Sequence, residues 1–270
     1  MDKKIIIVRE KKTSYHRLPP KSKKIPKRLY KFFSLYCEPY TTDNECLNKK
    51  KFDALKNKKI WLSHYTKMND PFEYCGISST GIDVNSEAGM MCKGLEDMKG
   101  QLFLSSFTKD LHNASMWTYY ANNYKGFCVE FLVDDEKFNK PKPIIYTNSA
   151  NTFSQNQYLS IIKKDKNCVK NLLDLTKRYV IKNKYWENEK EYRIFDFEEN
   201  AKIRNENNNG LLKDLSEFGL KINAIYIGLN CCDKNKEELI EISKILNVKV
   251  YDMVKNEETL SFKFKEVNDE

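Results

Sequence analysis

The sequence predicts an α+β protein: a mixed, largely antiparallel sheet with helices interspersed. Three observations predict it. Short runs rich in β-branched and aromatic residues recur along most of the chain. Between them lie segments whose apolar residues fall at three- and four-residue steps, the spacing of a helix face. The two kinds of segment do not alternate strictly, as a parallel strand–helix–strand chain would require. With 270 residues, the chain is long enough to bury a substantial core. It reads as a basic arm over residues 1–28 and one α+β domain over 29–270.

The elements follow in order. A short strand is expected at 5–8, then a Lys- and Pro-rich arm over 9–28. Tyr30-Lys31-Phe32-Phe33 reads as the first core strand. Thr42-x-x-Glu45 forms a capping box, with Leu47, Ala54 and Leu55 on one face of the helix that follows. A strand is expected at 60–62, and loops over 64–100 with a helix near 86–98. Residues 102–107 read as a strand, and Asn113 caps a short helix reaching Tyr120. Residues 127–133 and 144–146 are strands. Ser154-x-x-Gln157 is a second capping box. One long helix is expected after it, with a stripe running from Tyr158 through Leu172 to Val180. Residues 192–195 form a strand, the Asn-rich stretch 205–209 a loop, and 222–227 a buried strand. Asp233 is expected to cap a helix over 234–246. Strands at 248–254 and 260–264 close the chain.

Composition limits the function classes. Aromatic residues are 13% of the chain, which argues against global disorder. No apolar run approaches the roughly 20 residues that cross a bilayer. The run Ile5-Ile6-Ile7-Val8 is too short for a signal-peptide core, so a cytoplasmic protein with no membrane partner is expected. The net charge of +9 is unevenly spread. Residues 1–31 hold 12 Lys/Arg against two acids, and the rest of the chain is close to neutral. Nucleic acid is therefore expected to meet the arm through Lys21, Lys23, Lys24, Lys27 and Arg28 rather than the body. A solvated tail explains the same lysines. Eight cysteines without a C-x-x-C spacing, and three histidines, support no metal site; reduced, mostly buried thiols are expected.

No Gly-rich dinucleotide fingerprint, phosphate loop or nucleophile-elbow motif occurs. Three segments hold dense polar chemistry. In Asn69-Asp70-Pro71-Phe72-Glu73, the Pro holds Asp70 extended. Asn69 and Asp70 either bond their own backbone, or Asp70 and Glu73 present carboxylates to a cleft. The second segment runs from Ser105-Ser106-Phe107 through Met116-Trp117 and Tyr120 to Gly126. Its aromatics suit a core, Ser105, Ser106 and Tyr120 could reach a cleft, and Gly126 is expected to adopt a backbone conformation other residues avoid. In the third, 184–193, a strand would carry Glu189, Glu191 and Arg193 on one face. The arginine would partly relieve the repulsion between the two carboxylates. A solvated charged face is the competing reading.

Together these segments resemble the bacterial domain-of-unknown-function family 2971. The likeness rests on Leu29-Tyr30-Lys31-Phe32, Ile60-Trp61-Leu62-Ser63, Asn69 to Glu73, Ser105-Ser106-Phe107-Thr108, Met116-Trp117 with Tyr120-Ala121-Asn122-Asn123, Lys125 to Phe131, Ile145-Tyr146, Trp186 with Glu189 to Arg193, and Ile227-Gly228. It spans roughly residues 28–230. The chain departs from the family pattern at Tyr119 and Tyr124, where histidine is frequent. A second likeness is to mono-ADP-ribosyltransferase-like domains, on order alone: an aromatic on the first strand (Tyr30), a hydroxyl strand (Ser105, Ser106), a late glutamate (Glu189 or Glu191). That likeness implies an intracellular enzyme acting on a nucleotide or nucleic acid, by ADP-ribosyl transfer or NAD cleavage. NAD would be its substrate, and phage defence would be a fitting setting. Glu189, Glu191 and Arg193 would be catalytic. Tyr30, Asn69, Asp70, Glu73, Ser105, Ser106 and Tyr120 would bind substrate. Two alternatives stand beside it. One is a non-enzymatic nucleic-acid-binding module. The other is a metal-dependent nuclease using Asp70, Glu73, Glu130, Glu189, Glu191 and Lys190.

Overall fold

The computed structural model describes residues 25–39, 41–73, 77–79, 81–149, 151–198 and 210–267. The strand expected at 5–8, the loop at 205–209 and Lys21, Lys23 and Lys24 lie outside them. Strand β1 (Arg28–Phe33) leads to helix α1 (Thr42–Lys56), capped by the Thr41 hydroxyl one residue before the expected position. Strand β2 (Lys59–His64) and the short β3 (Ile77–Ser78) precede α2 (Glu87–Lys99). Strand β4 (Leu102–Thr108) is followed by α3 (Ala114–Tyr119), whose Asn113 cap accepts from the amides of Ser115 and Met116. Then come β5 (Phe127–Val133), β6 (Lys142–Pro143), β7 (Ile145–Thr147) and β8 (Asn151–Thr152).

The long helix expected after Ser154 is two helices, α4 (Gln155–Lys163) and α5 (Cys168–Thr176). Lys164 takes a left-handed conformation and ends the first, because the polar run Lys164 to Asn167 has no apolar residue to keep the stripe against the core. Strand β9 (Ile181–Asn183), a 3-10 helix (Lys184–Glu189) and β10 (Glu191–Phe197) follow. Strands β11 (Gly210–Asp214) and β12 (Leu220–Ile227), helix α6 (Asp233–Leu246), and strands β13 (Lys249–Asn256) and β14 (Ser261–Glu266) complete the chain. Asp233 opens α6 rather than capping it; the N-cap is Cys232.

Ten strands form one sheet in the order β11-β2-β4-β1-β5-β12-β13-β14, with β10 on β4 and β6 on β10. Every pairing in it is antiparallel except β12 with β13, so the α+β class holds with a mixed, largely antiparallel sheet. One core cluster joins Leu29, Leu62, Phe107, Phe131, Ile194, Ile225, Leu239 and Ile242. A second gathers Phe32, Leu111, Trp117, Ala121, Cys128 and Met253, with Tyr30, Met116 and Tyr120 packed against it.

Strand β4 positions the site. Strand β10 covers one of its edges along its whole length, from Thr108 to Leu102. The other edge is divided: β2 pairs at Phe103 and Leu104, β1 only at Thr108. Between those two attachments, at 105–107, β1 and β2 diverge and a cavity opens. Among the described residues no helix is long and apolar enough to cross a membrane.

Candidate functional site

A cavity of about 260 Å³ sits at this split. It lies just below the roughly 300–1,000 Å³ range of ligand pockets. Strand β1 contributes Tyr30 and Lys31, β4 contributes Ser106, the C-cap of α3 Tyr120, β9 Lys182, and β10 Glu191 and Arg193. Glu189, from the end of the 3-10 helix, and Asn69 and Glu73, from the Asn-Asp-Pro turn, complete the polar lining. The late acidic pair is thus buried beside that turn, not turned to open water.

A single ion network runs along the wall. Arg193 grips Glu73 bidentately, Nη1 to Oε2 at 2.8 Å and Nη2 to Oε1 at 2.5 Å. Its Nε donates to Glu191 Oε1 at 2.6 Å. Lys182 Nζ then bridges the two late carboxylates, reaching Glu191 Oε2 at 3.0 Å and Glu189 Oε2 at 2.6 Å. The other Glu189 oxygen accepts from the Tyr120 hydroxyl at 2.6 Å. The expected relief of Glu–Glu repulsion by Arg193 is only half of the arrangement; Lys182 supplies the rest. Pairing of this completeness is what lets so many charges be buried.

The electrostatics follow. Burial alone would raise the Glu191 carboxyl, but the Arg193 and Lys182 charges outweigh it and hold it down at about 2. Burial would likewise lower Lys182, yet Glu191 and Glu189 leave it above its ordinary value. Arg193 is held higher still, since Glu191 and Glu73 overcome its desolvation. Burial and the Glu189 charge keep the Tyr120 hydroxyl protonated far above the usual phenol range. Tyr146, on β7, accepts from the Glu191 amide at 2.8 Å and fixes the start of β10.

Several expectations are corrected. Glu189 is not on a strand: Lys190, at φ 47°, turns the chain between the 3-10 helix and β10. That turn, rather than period-two alternation, brings Glu189 to the side of Glu191. Asp70 does not present a carboxylate to the cavity. It is buried, one oxygen accepts from the Phe72 amide at 2.9 Å, and the other has no partner among the described residues. It fixes the turn that delivers Asn69 and Glu73. Ser105 borders the cavity, but its hydroxyl is sealed from solvent without a partner among the described residues. The Tyr30 hydroxyl is held by Glu130, and burial and that charge push its pKa up. Gly126 is not at positive φ; a side chain there would overlap the Phe33 carbonyl oxygen, so close approach is what requires glycine. Of the described cysteines only Cys128 is buried.

Outside the cavity, Lys27 is exposed, and Arg28 opens β1 with Nη1 3.5 Å from Glu130. Glu130 is otherwise held by Asn223 and Tyr226, and Lys190 pairs with Asp110 at 2.6 Å. The six residues of the nuclease reading therefore do not converge. Among the described residues no group of three or more His, Cys, Asp or Glu is placed to hold a metal ion.

Lys31 and Lys182 escaped the sequence reading. Lys31 is a lone lysine set among apolar residues in Tyr30-Lys31-Phe32-Phe33, and that oddity is the signal that could have found it; Lys182, followed by Asn183 and Lys184, carries no such signal.

Fold and site together define an α+β protein with a buried carboxylate–cation network lining a cavity at a split strand edge. Residues 116–194 match the model of a family described as protein of unknown function (DUF2971). The matched segment carries Tyr120, Lys182, Glu189, Glu191 and Arg193, which make up most of the network, and Met116 of the lining. No curated protein and no solved structure matches the chain significantly.

Proposed function

We propose that the cavity takes a nucleotide and that the protein is an enzyme of ADP-ribosyl transfer or NAD cleavage. One observation carries this reading. Strands β10, β4 and β1 are direct neighbours, so the late glutamates, Ser106 and Tyr30 line one cavity. Along the chain, Tyr30, Ser106 and the late glutamates also fall in the order in which mono-ADP-ribosyltransferase-like domains carry a first-strand aromatic, a hydroxyl strand and a late glutamate. Glu189 is the better candidate for the reacting carboxylate. Among the described residues its oxygens are oriented by Tyr120 and Lys182, whereas Glu191 is committed to Arg193 and Lys182.

In this reaction the bond between the ribose anomeric carbon and nicotinamide breaks, and its electron pair leaves with nicotinamide. Positive charge builds on the sugar, and a fixed carboxylate beside it stabilises that charge without having to reorient. Water or an acceptor group then adds to the anomeric carbon and releases a proton. Glu191, Arg193 and Glu73 act as positioning residues that hold Lys182 and the wall.

The test follows nicotinamide release by the full chain given NAD, alone and with RNA or DNA. Glu189→Gln should lower turnover by about 10²-fold or more with the fold intact, in line with loss of one preorganised charge-stabilising group. An intact chain that never consumes NAD under these conditions overturns the proposal. The concentration of basic residues in 1–31 supports a separate proposal, that this segment contacts nucleic acid by phosphate neutralisation.

A further inference from the structure

The cavity's charges are unevenly satisfied. Its three carboxylates, Glu73, Glu189 and Glu191, all have cationic partners, and Arg193 and Lys182 are used up in providing them. Two further cations line the same space, Lys31 and Lys67. Among the described residues, neither is in an ion pair. Lys31 rises from the core side of β1 into the split. Its amine donates to the Ser106 carbonyl at 3.2 Å and lies over the faces of Phe33 and Phe107, each at 5.6 Å, with the Glu191 charge acting on it from β10 without an ion pair. A half-buried ammonium with one hydrogen-bond acceptor and two aromatic faces has donors to spare. Lys67 stands exposed on the short 3-10 helix (Tyr65–Lys67) that leads into the Asn-Asp-Pro turn.

We infer that Lys31 and Lys67 form an anion subsite, and that the ligand of this cavity carries a phosphoryl group. The inference rests on the nucleotide reading above and narrows it: a phosphorylated nucleotide is taken and the bare nucleoside is not. Lys31 supplies the inner contact at the strand split, Lys67 the outer one. The glutamate network beside them repels a phosphate unless the cations outnumber it, and four cations face three carboxylates here. The same subsite would serve a dinucleotide's diphosphate or a free phosphate, so both are probed.

The experiment is calorimetric titration of the full chain with ADP-ribose, inorganic pyrophosphate and adenosine, for wild type, Lys31→Met, Lys31→Arg and Lys67→Met. ADP-ribose should bind wild type, and Lys31→Met should weaken it at least tenfold, with Lys31→Arg recovering part of the loss. Lys67→Met, at the exposed rim where folding is not at stake, should weaken it about threefold. Adenosine should bind no better than marginally and respond to none of the variants. Pyrophosphate binding with the same variant response would identify the diphosphate as the recognised group; ADP-ribose binding without it would mean that the attached sugar or base is also needed. Equal ADP-ribose affinity across wild type and both methionine variants overturns the inference, as does failure of wild type to bind ADP-ribose or pyrophosphate. Lys31-dependent ADP-ribose binding without NAD turnover would keep this inference and overturn only the proposed reaction.

Discussion

At the residue scale, Lys182 ties the network together. Its ammonium lies between two buried carboxylates and 4.8 Å from the centre of the Trp186 ring. Lys182→Met keeps the stem but leaves Glu189 and Glu191 facing each other in a desolvated wall. Breaking a buried ion pair from one side costs about 3–5 kcal/mol, so a urea midpoint should fall by that amount once converted through the slope. Glu191 makes a pH prediction. Its folded pKa of about 2 lies below its ordinary 4.5, so it contributes stability that is complete above about pH 4.5 and lost as pH falls toward 2. Urea unfolding between pH 5 and 2 should show a shallower decline for Glu191→Gln, which begins less stable. Parallel declines in the two proteins would contradict the assignment of that charge.

At the element scale, the turn from α3 into β5 governs how closely strands approach. Asn122, Asn123 and Tyr124 are all left-handed, a conformation that two of the three tolerate through short polar side chains. Asn122 donates to the Leu35 carbonyl at 2.8 Å, and Tyr124 stacks on Trp117 with ring centres 6.1 Å apart. The turn ends at Gly126, pressed against the Phe33 carbonyl at the end of β1. Gly126→Ala should therefore force β1 and β5 apart and cost roughly 1–3 kcal/mol, the range for overpacking. Because β1 also forms one side of the split in β4, the same variant should weaken ADP-ribose binding. Thermal unfolding and titration read the two effects separately.

At the scale of the whole molecule, the net positive charge is concentrated in residues 1–31. Deleting residues 1–24 removes nine of the 47 basic residues and leaves β1 whole. If this segment contacts phosphates, the truncated protein should lose most of its affinity for duplex DNA or RNA at 50 mM salt and the steep salt dependence with it, while unfolding unchanged. Equal affinity before and after truncation would remove that role. The strands around 30, 102–107 and 127–133, the Asn113 cap and the Ser154 box were legible because local chemistry determines them: branched and aromatic runs, or a polar side chain one turn from an orphan amide. The break at Lys164 and the 3-10 turn at Glu189 were not, since a helical stripe and a period-two pattern both tolerate a left-handed residue that only packing selects. The sequence alone determined the α+β class, the three polar segments and the concentration of basic residues in 1–31, because composition and short-range periodicity are properties of neighbours in the chain. Only the tertiary structure decided that Glu73 meets Arg193 across 120 positions, that Asp70 serves the turn, and that Lys31 and Lys182 belong to the cavity. Those outcomes depend on how β1 and β2 divide the edge of β4, and strand pairing across long stretches of chain leaves no local trace in the sequence.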